Sequence, residues 1–221
     1  MNDKLSFDEF YQNTRNYYII KGITSIVFLI FTARFALTMV ENHEAGKSFN
    51  YVNLLLFIEE LVTFLVIVLS RRPKDTNVTL KTTFLTAVAS YYIMFVSFSD
   101  TASTVTLVPQ EYCALLMVVG LLWQIASKIC LGRSFGLLPA NRGVVNFGPY
   151  HFMRHPIYFG YLMTHIGFVL GAFSLWNLGI YAVMWTAQCL RLLEEEKVLS
   201  RDEAYQAYQK EVPYHLIPFV F

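Results

Sequence analysis

The chain has 221 residues, 55% of them hydrophobic and only 15% charged, with a formal net charge of +1. A soluble globule carries roughly 25% charged residues, so a water-soluble domain is a poor fit, and the near-neutral balance without a basic cluster argues against a nucleic-acid partner. The three cysteines, Cys113, Cys130 and Cys189, lie inside apolar runs without metal-ligand spacing and read as small buried hydrophobes.

A polar lead with Asp3, Asp8 and Glu9 precedes the first apolar run, which is too long for the core of a cleavable signal. That run covers residues 17–40 and carries Lys21 and Arg34. Residues 53–69 form the second, opened by Glu59 and Glu60; residues 80–98 form the third; residues 112–131 form the fourth, with Lys128 near its end. A spanning helix needs about 20 mostly apolar residues, and each of these runs is expected to cross. A polar stretch follows over 132–154. Two shorter runs, 156–170 and 178–193, flank a break at 171–177 and fit a helical hairpin. The expected architecture is therefore all-α: an integral membrane helical bundle of four spanning helices, a C-terminal hairpin and an interfacial tail helix. Residues 1–131 are expected to be scaffold, and residues 132–221 the chemical region.

Charge orients the chain. The connection after the second run carries Arg71, Arg72, Lys74 and Lys81. The stretch after the fourth carries Arg133, Arg142 and Arg154, and the tail Arg191, Lys197, Arg201 and Lys210. The other connections are acidic or uncharged, with Glu41, Glu44, Asp100 and Glu111 against a lone Lys47. Cytoplasmic loops are enriched in Lys and Arg, so both termini and the polar stretch are expected on the cytoplasmic face.

Three constellations carry chemistry. In the first, Gly148-Pro149 reads as a turn and Pro156 as the first turn of a helix, which puts Arg154 and His155 at a helix N-terminus. Free N–H groups and the positive dipole end favour a carboxylate or phosphate there; plain anchoring in the headgroups is the alternative. In the second, Arg191 and Glu195 share one helical face. They form either an ordinary surface pair or a functional pair at a membrane edge. The third is Tyr205 and Tyr208 on an amphipathic tail, followed by Pro213 and Pro218, a pattern that suits interfacial anchoring. No dinucleotide fingerprint, phosphate loop or nucleophile elbow is present, and the histidines are scattered. A central pore is unsupported, because the charges fall at segment ends. Spacing alone leads to a membrane enzyme or binding protein for an anionic, lipid-like molecule.

The order of these motifs resembles the isoprenylcysteine carboxyl methyltransferase family, which shares a C-terminal pattern with membrane phospholipid methyltransferases. The resemblance rests on Gly148-Pro149-Tyr150, on Arg154-His155-Pro156-Ile157-Tyr158-Phe159-Gly160, on Arg191 with Glu195-Glu196, on Tyr205 and Tyr208, and on Ile217-Pro218. It covers about residues 132–221. It implies S-adenosyl-L-methionine as cofactor and a lipophilic substrate that enters from the bilayer. It implies backbone contacts to the cofactor from Gly143, Val144 and Val145, a wall of Tyr150, His155, Pro156, Ile157 and Tyr158, and hydrogen bonding by Glu195. Arg191 would face the substrate carboxylate as the catalytic residue, with Arg154 as a second substrate contact. A carboxylate is ionised at neutral pH and can attack the sulfonium methyl without a general base.

Two departures bear on the substrate. The family's Phe-Gly before the tyrosine pair is replaced by the shorter Ser200-Arg201-Asp202-Glu203-Ala204, and the end of the chain also resembles membrane sterol reductases that use NADPH. Ile157 replaces the Asn of those reductases. The alternatives are an N-methyltransferase acting on a phospholipid or small lipophile, a reductase relative, and a non-catalytic scaffold.

Overall fold

The computed structural model describes residues 7–46, 51–96, 105–218 and 220. The chain folds into helices α1 (Phe7–Gln12), α2 (Thr14–Glu44), α3 (Tyr51–Leu69), α4 (Leu80–Tyr91), α5 (Gln110–Leu131), α6 (Pro156–Gly171), α7 (Leu175–Leu199) and α8 (Glu203–Glu211). A two-residue ribbon pairs β1 (Asp75–Thr76) antiparallel with β2 (Ala140–Asn141), Asp75 facing Asn141.

Among the described residues, three helices are long and apolar enough to cross a membrane: α2, α3 and the Gln110–Ser134 segment that extends α5. They expose Ile23, Ile26, Ile30, Leu65, Leu115, Leu122 and Ile129. In water such continuous apolar surface is a liability; hydrocarbon is its natural solvent. The expected third span is not confirmed. Over 80–98 the α-helix is only 12 residues long, about 18 Å at 1.5 Å per residue, short of a hydrocarbon core of about 30 Å. It tightens into a 3-10 turn at Tyr92–Phe95, where the Tyr92 hydroxyl is held 2.7 Å from His165 Nε2. Ser97 and Phe98 lie outside the described residues, as do Asp3, Lys47, Asp100 and Phe221.

The C-terminal pair is also more unequal than its sequence pattern predicts. α6 has 16 residues and α7 has 25, because α7 continues through the charged stretch to Leu199. Ser174 caps α7, its hydroxyl accepting from Asn177 N at 3.0 Å. The two helices diverge from that turn. α6 packs along α5, where Gly120 meets Gly160: a Cβ on Gly120 would lie 2.6 Å from Thr164 Oγ1 and 2.8 Å from the Gly160 carbonyl. α7 packs on α4 through Leu85, Ala89 and Ala187.

The tail differs from the interfacial anchor expected of it. Tyr205 and Tyr208 of α8 are buried with Tyr150 and Val212, so the apolar side of this helix meets protein. Its N-terminus is capped by Asp202, which accepts from Ala204 N at 2.9 Å. Hydrogen bonds gather the polar segments at one end of the bundle. Arg71 N donates to the Arg133 carbonyl at 2.8 Å, Arg72 Nη2 to the Gln12 carbonyl at 2.5 Å, and Asn141 Nδ2 to Asp202 at 2.7 Å. The opposite end is joined by the Val105–Phe173 bridge and by Trp176 Nε1 donating to the Phe95 carbonyl at 2.9 Å.

Candidate functional site

A cavity of about 750 Å³ runs from the polar end into the helices, within the roughly 300–1,000 Å³ range of ligand sites. At its polar end Gly143 has φ of 105°, a conformation that glycine adopts without strain, and its N–H donates to Asn141 Oδ1 at 2.9 Å. This turn delivers Val144 and Val145 against the Tyr150, Tyr205 and Tyr208 cluster. The Tyr208 hydroxyl donates to the Tyr150 carbonyl at 2.6 Å, which fastens the tail across this end of the cavity.

The three successive glutamates of α7 meet different surroundings, because each points about 100° from the last. Glu194 faces outward to Lys81 at 2.8 Å and Lys197 at 3.0 Å. Glu196 faces the tail. It is bonded by Arg154 Nε at 3.2 Å, His155 Nε2 at 2.6 Å, the Tyr205 hydroxyl at 2.5 Å and Gln209 Nε2 at 3.0 Å. Burial alone would raise this carboxyl; the His155 and Tyr205 hydrogen bonds and the Arg154 charge outweigh it and hold it down at about 2. Burial, reinforced by the neighbouring Glu196 charge, pushes the Tyr205 hydroxyl up, so it stays a donor.

Glu195 lines the cavity between these two. It accepts from the Tyr158 hydroxyl at 3.3 Å and makes no ion pair among the described residues. Arg191, one turn earlier, is 8% exposed and also lines the cavity. Its guanidinium lies 5.7 Å from the Tyr158 ring centroid. The hydrogen bond found for it is a long one, Nη1 to Gln188 Oε1 at 3.4 Å, and its buried Nε has no partner among the described residues. Arg191 and Glu195 therefore do not form the ordinary surface pair.

The expected site residues fall as follows. Gly143, Val144, Val145, Tyr150, His155, Ile157, Tyr158, Arg191 and Glu195 share the cavity wall. Pro156 is fully buried at the start of α6 and is not part of that wall. Arg154 reaches the wall, but its guanidinium is occupied. Nε and Nη2 meet Glu196 at 3.2 Å, and Nη1 donates to the Val212 and Pro213 carbonyls, each at 3.0 Å. These bonds tie the tail to α7 through Arg154.

Several wall residues were not expected. Arg142 is 5% exposed; its Nη2 reaches the Tyr11 hydroxyl at 3.3 Å and its Nε has no partner among the described residues. Near the middle of its length, α3 presents Glu59 and Glu60. Lys128 of α5 is salt-bridged to Glu59 and donates to Thr63 Oγ1 at 2.6 Å. Glu60 has a buried carboxyl oxygen without a partner among the described residues. The reading that charges fall at segment ends is corrected here, because α3 begins at Tyr51 and the pair sits near its middle. The available signal was the acidic pair inside an apolar run, costly unless functional.

Residues 109–207 match the family model described as phospholipid methyltransferase. Among curated proteins, none matches the chain.

Proposed function

The chain belongs, through residues 109–207, to the isoprenylcysteine/phospholipid methyltransferase family of membrane enzymes, and from that premise we propose that it transfers a methyl group from S-adenosyl-L-methionine to the carboxylate of a lipophilic, isoprenylcysteine-like acceptor entering from the bilayer. The observation that carries this reading is Arg191: a buried guanidinium facing a cavity, with a long bond to Gln188 and an unpartnered Nε. Such a group matches a carboxylate bidentately.

The residues fit the cofactor. Its amino-acid end needs an anion binder and a cation binder, and Arg142 and Glu195 both line the wall with unfilled bonding capacity. Val144, Val145, Tyr150 and Tyr205 offer apolar and aromatic walls for its base. When bound, S-adenosyl-L-methionine supplies an electrophilic methyl group on a sulfonium. Arg191 orients the acceptor carboxylate toward that end of the cavity. No side chain has to remove a proton, because the acceptor is already ionised at neutral pH. Tyr158 holds both Arg191, through its ring, and Glu195, through its hydroxyl. Tyr205 and Tyr208 close the polar end against water. Catalysis is then alignment and water exclusion.

An amine acceptor is the second reading, favoured by the Glu60 carboxyl oxygen that has no partner among the described residues. The positive connections gather at the polar end of the bundle, so we place that end and both termini in the cytoplasm. The test is thermal stabilisation of the detergent-solubilised protein. S-adenosylhomocysteine should raise the melting temperature and NADPH should not. Stabilisation by NADPH alone would point to a reductase, and no response to either would point to a scaffold.

A further inference from the structure

We propose that Arg142 takes the carboxylate at the amino-acid end of S-adenosyl-L-methionine, and that Tyr11 of α1 is the residue that positions it there; this rests on the methyltransferase reading above. Two other buried cations of the cavity already have their anions, Lys128 with Glu59 and Arg154 with Glu196. Arg142 is also deeply buried, 5% exposed, yet no carboxylate pairs with it among the described residues. The side chain it meets is Tyr11, with Nη2 donating to the hydroxyl at 3.3 Å. That phenol does not offset the charge. Burial outweighs the pull of Arg142 and holds the hydroxyl above its ordinary range, so it stays neutral. Arg133 and Lys21 add positive charge, since Arg142 and Arg133 both act on Lys21. A buried cation without an anion is costly. A guanidinium matches a carboxylate with two parallel bonds.

The guanidinium is built into its place. On one side is Gly136, where a Cβ would lie 2.7 Å from Nη2 and closer still to Nη1 and Cζ. Behind it, Ser134 Oγ donates to the Arg142 carbonyl at 3.2 Å. Tyr11 contacts it from α1 and is itself only 5% exposed. α1 has six residues, too few to be stable alone. It is held by Asp8, which accepts from Thr76 Oγ1 at 2.7 Å and from Val78 N at 2.9 Å. Arg72 adds its bond to the Gln12 carbonyl. Arg142 lies inside the segment that matches the family model, residues 109–207, and α1 lies outside it. The N-terminal segment thus orients a group of the matched segment.

Arg142 also stands beside the wall that suits the cofactor's base. Gly143 follows it directly and Val145 is three residues on, so the Cα atoms of Arg142 and Val145 are at most about 11 Å apart. Val144 and Val145 pack on Tyr150, Tyr205 and Tyr208. One loop therefore presents a cation next to an apolar and aromatic wall, which suits a molecule carrying a carboxylate and a base.

The test uses the full chain in detergent and two probes. They are S-adenosylhomocysteine and its decarboxylated form, which keeps the adenosine, the sulfur and the amine. Affinity is read by calorimetric titration. The unmodified protein should bind S-adenosylhomocysteine about 30-fold or more tightly than the decarboxylated form, the scale of losing one partner of a buried charge pair. Arg142→Gln should bring the two probes to within about threefold of each other. Tyr11→Phe keeps the ring and removes the hydroxyl. It should lower the preference by about tenfold, the lower end for a hydrogen bond to a charged group, and leave the affinity of the decarboxylated form unchanged. A tyrosine that only held the fold would weaken both probes alike, so an unchanged preference in Tyr11→Phe overturns the positioning role. Equal binding of the two probes by the unmodified protein, or a preference that survives in Arg142→Gln, overturns the carboxylate site and leaves the methyltransferase reading standing. Binding of neither probe sinks both. The comparison within the unmodified protein stands even if Arg142→Gln fails to fold.

Discussion

Two acidic side chains of α7, neighbours in sequence, show how differently this molecule treats its polar groups. Glu196 receives hydrogen bonds from four side chains on two segments, Arg154 and His155 ahead of α6 and Tyr205 and Gln209 of α8, and locks α6, α7 and the tail together. Glu195, one residue earlier, has a single 3.3 Å bond from Tyr158, and Arg191 on the same face has less still. The saturated cluster is architecture; the unsaturated one is open to a ligand. The two differ little in composition, so saturation tells them apart better than residue type does.

The sharpest way to break this contrast is to remove its saturated member. Glu196→Ala strands Arg154 in a buried place, and losing one partner of such a pair costs about 3–5 kcal/mol. We expect a large fall in melting temperature together with loss of S-adenosylhomocysteine binding, since Tyr205 and the tail lose their anchor. The same carboxyl gives a pH signature. Its folded value of about 2 lies below its ordinary 4.5. Its contribution is therefore fully present above about pH 4.5 and lost as pH falls through about 2. The gap in melting temperature between the unmodified protein and Glu196→Gln should stay constant at neutral pH and close across that acidic window. A gap that widened on acidification would refute the assignment.

The unsaturated group should respond in function more than in stability. Arg191→Ala should reduce methyl transfer by about 30-fold or more, the scale of losing one partner of a buried charge-assisted contact, with cofactor affinity within a few-fold of normal. Glu195→Ala should do the reverse and weaken cofactor binding first. Calorimetric titrations showing equal cofactor losses in both variants would erase the division between cofactor and acceptor sides.

The α5–α6 seam forms the back of the chamber. Gly120→Ala puts a methyl group 2.8 Å from the Gly160 carbonyl, and backbone cannot move aside as a flexible side chain can. Overpacking of this kind costs about 1–3 kcal/mol. The expected result is a moderate drop in melting temperature with a shift in acceptor affinity, because Gln124 and Thr164 line the cavity from these two helices. An unchanged protein would mean the helices separate freely.

Part of this was readable in the chain itself. The apolar runs, the Pro156 helix start and the Arg191–Glu195 face follow from periodicity and from proline's missing N–H. The short α4 was not readable: 80–98 is apolar enough to cross, and only its packing at Tyr92 and His165 shows the helix tightening. The partner of Arg154 was not readable for a related reason. A helix N-terminus with an arginine attracts anions in general, and nothing local shows that the anion is Glu196, 42 residues away. Tyr205 and Tyr208 suit an interface equally well until α8 is docked on Tyr150. Glu59 and Glu60 were visible as letters, but their mid-helix depth depended on α3 beginning at Tyr51.

The smallest expected effect tests the contrast from its other side. Arg201 and Asp75 form an ion pair at 3.0 Å that, like the Glu196 cluster, joins the tail region to the rest of the polar end. Its side chains are 56% and 37% exposed, and exposed pairs contribute about 0–1 kcal/mol. Arg201→Ala should therefore move the melting temperature only slightly and leave S-adenosylhomocysteine affinity unchanged. Added salt, which screens exposed charges, should remove even that difference while leaving the deficit of Glu196→Ala in place. If Arg201→Ala instead matched Glu196→Ala, charge pairing at the tail would matter irrespective of burial. Saturation within the buried cluster would then no longer explain why the tail stays closed over the cavity.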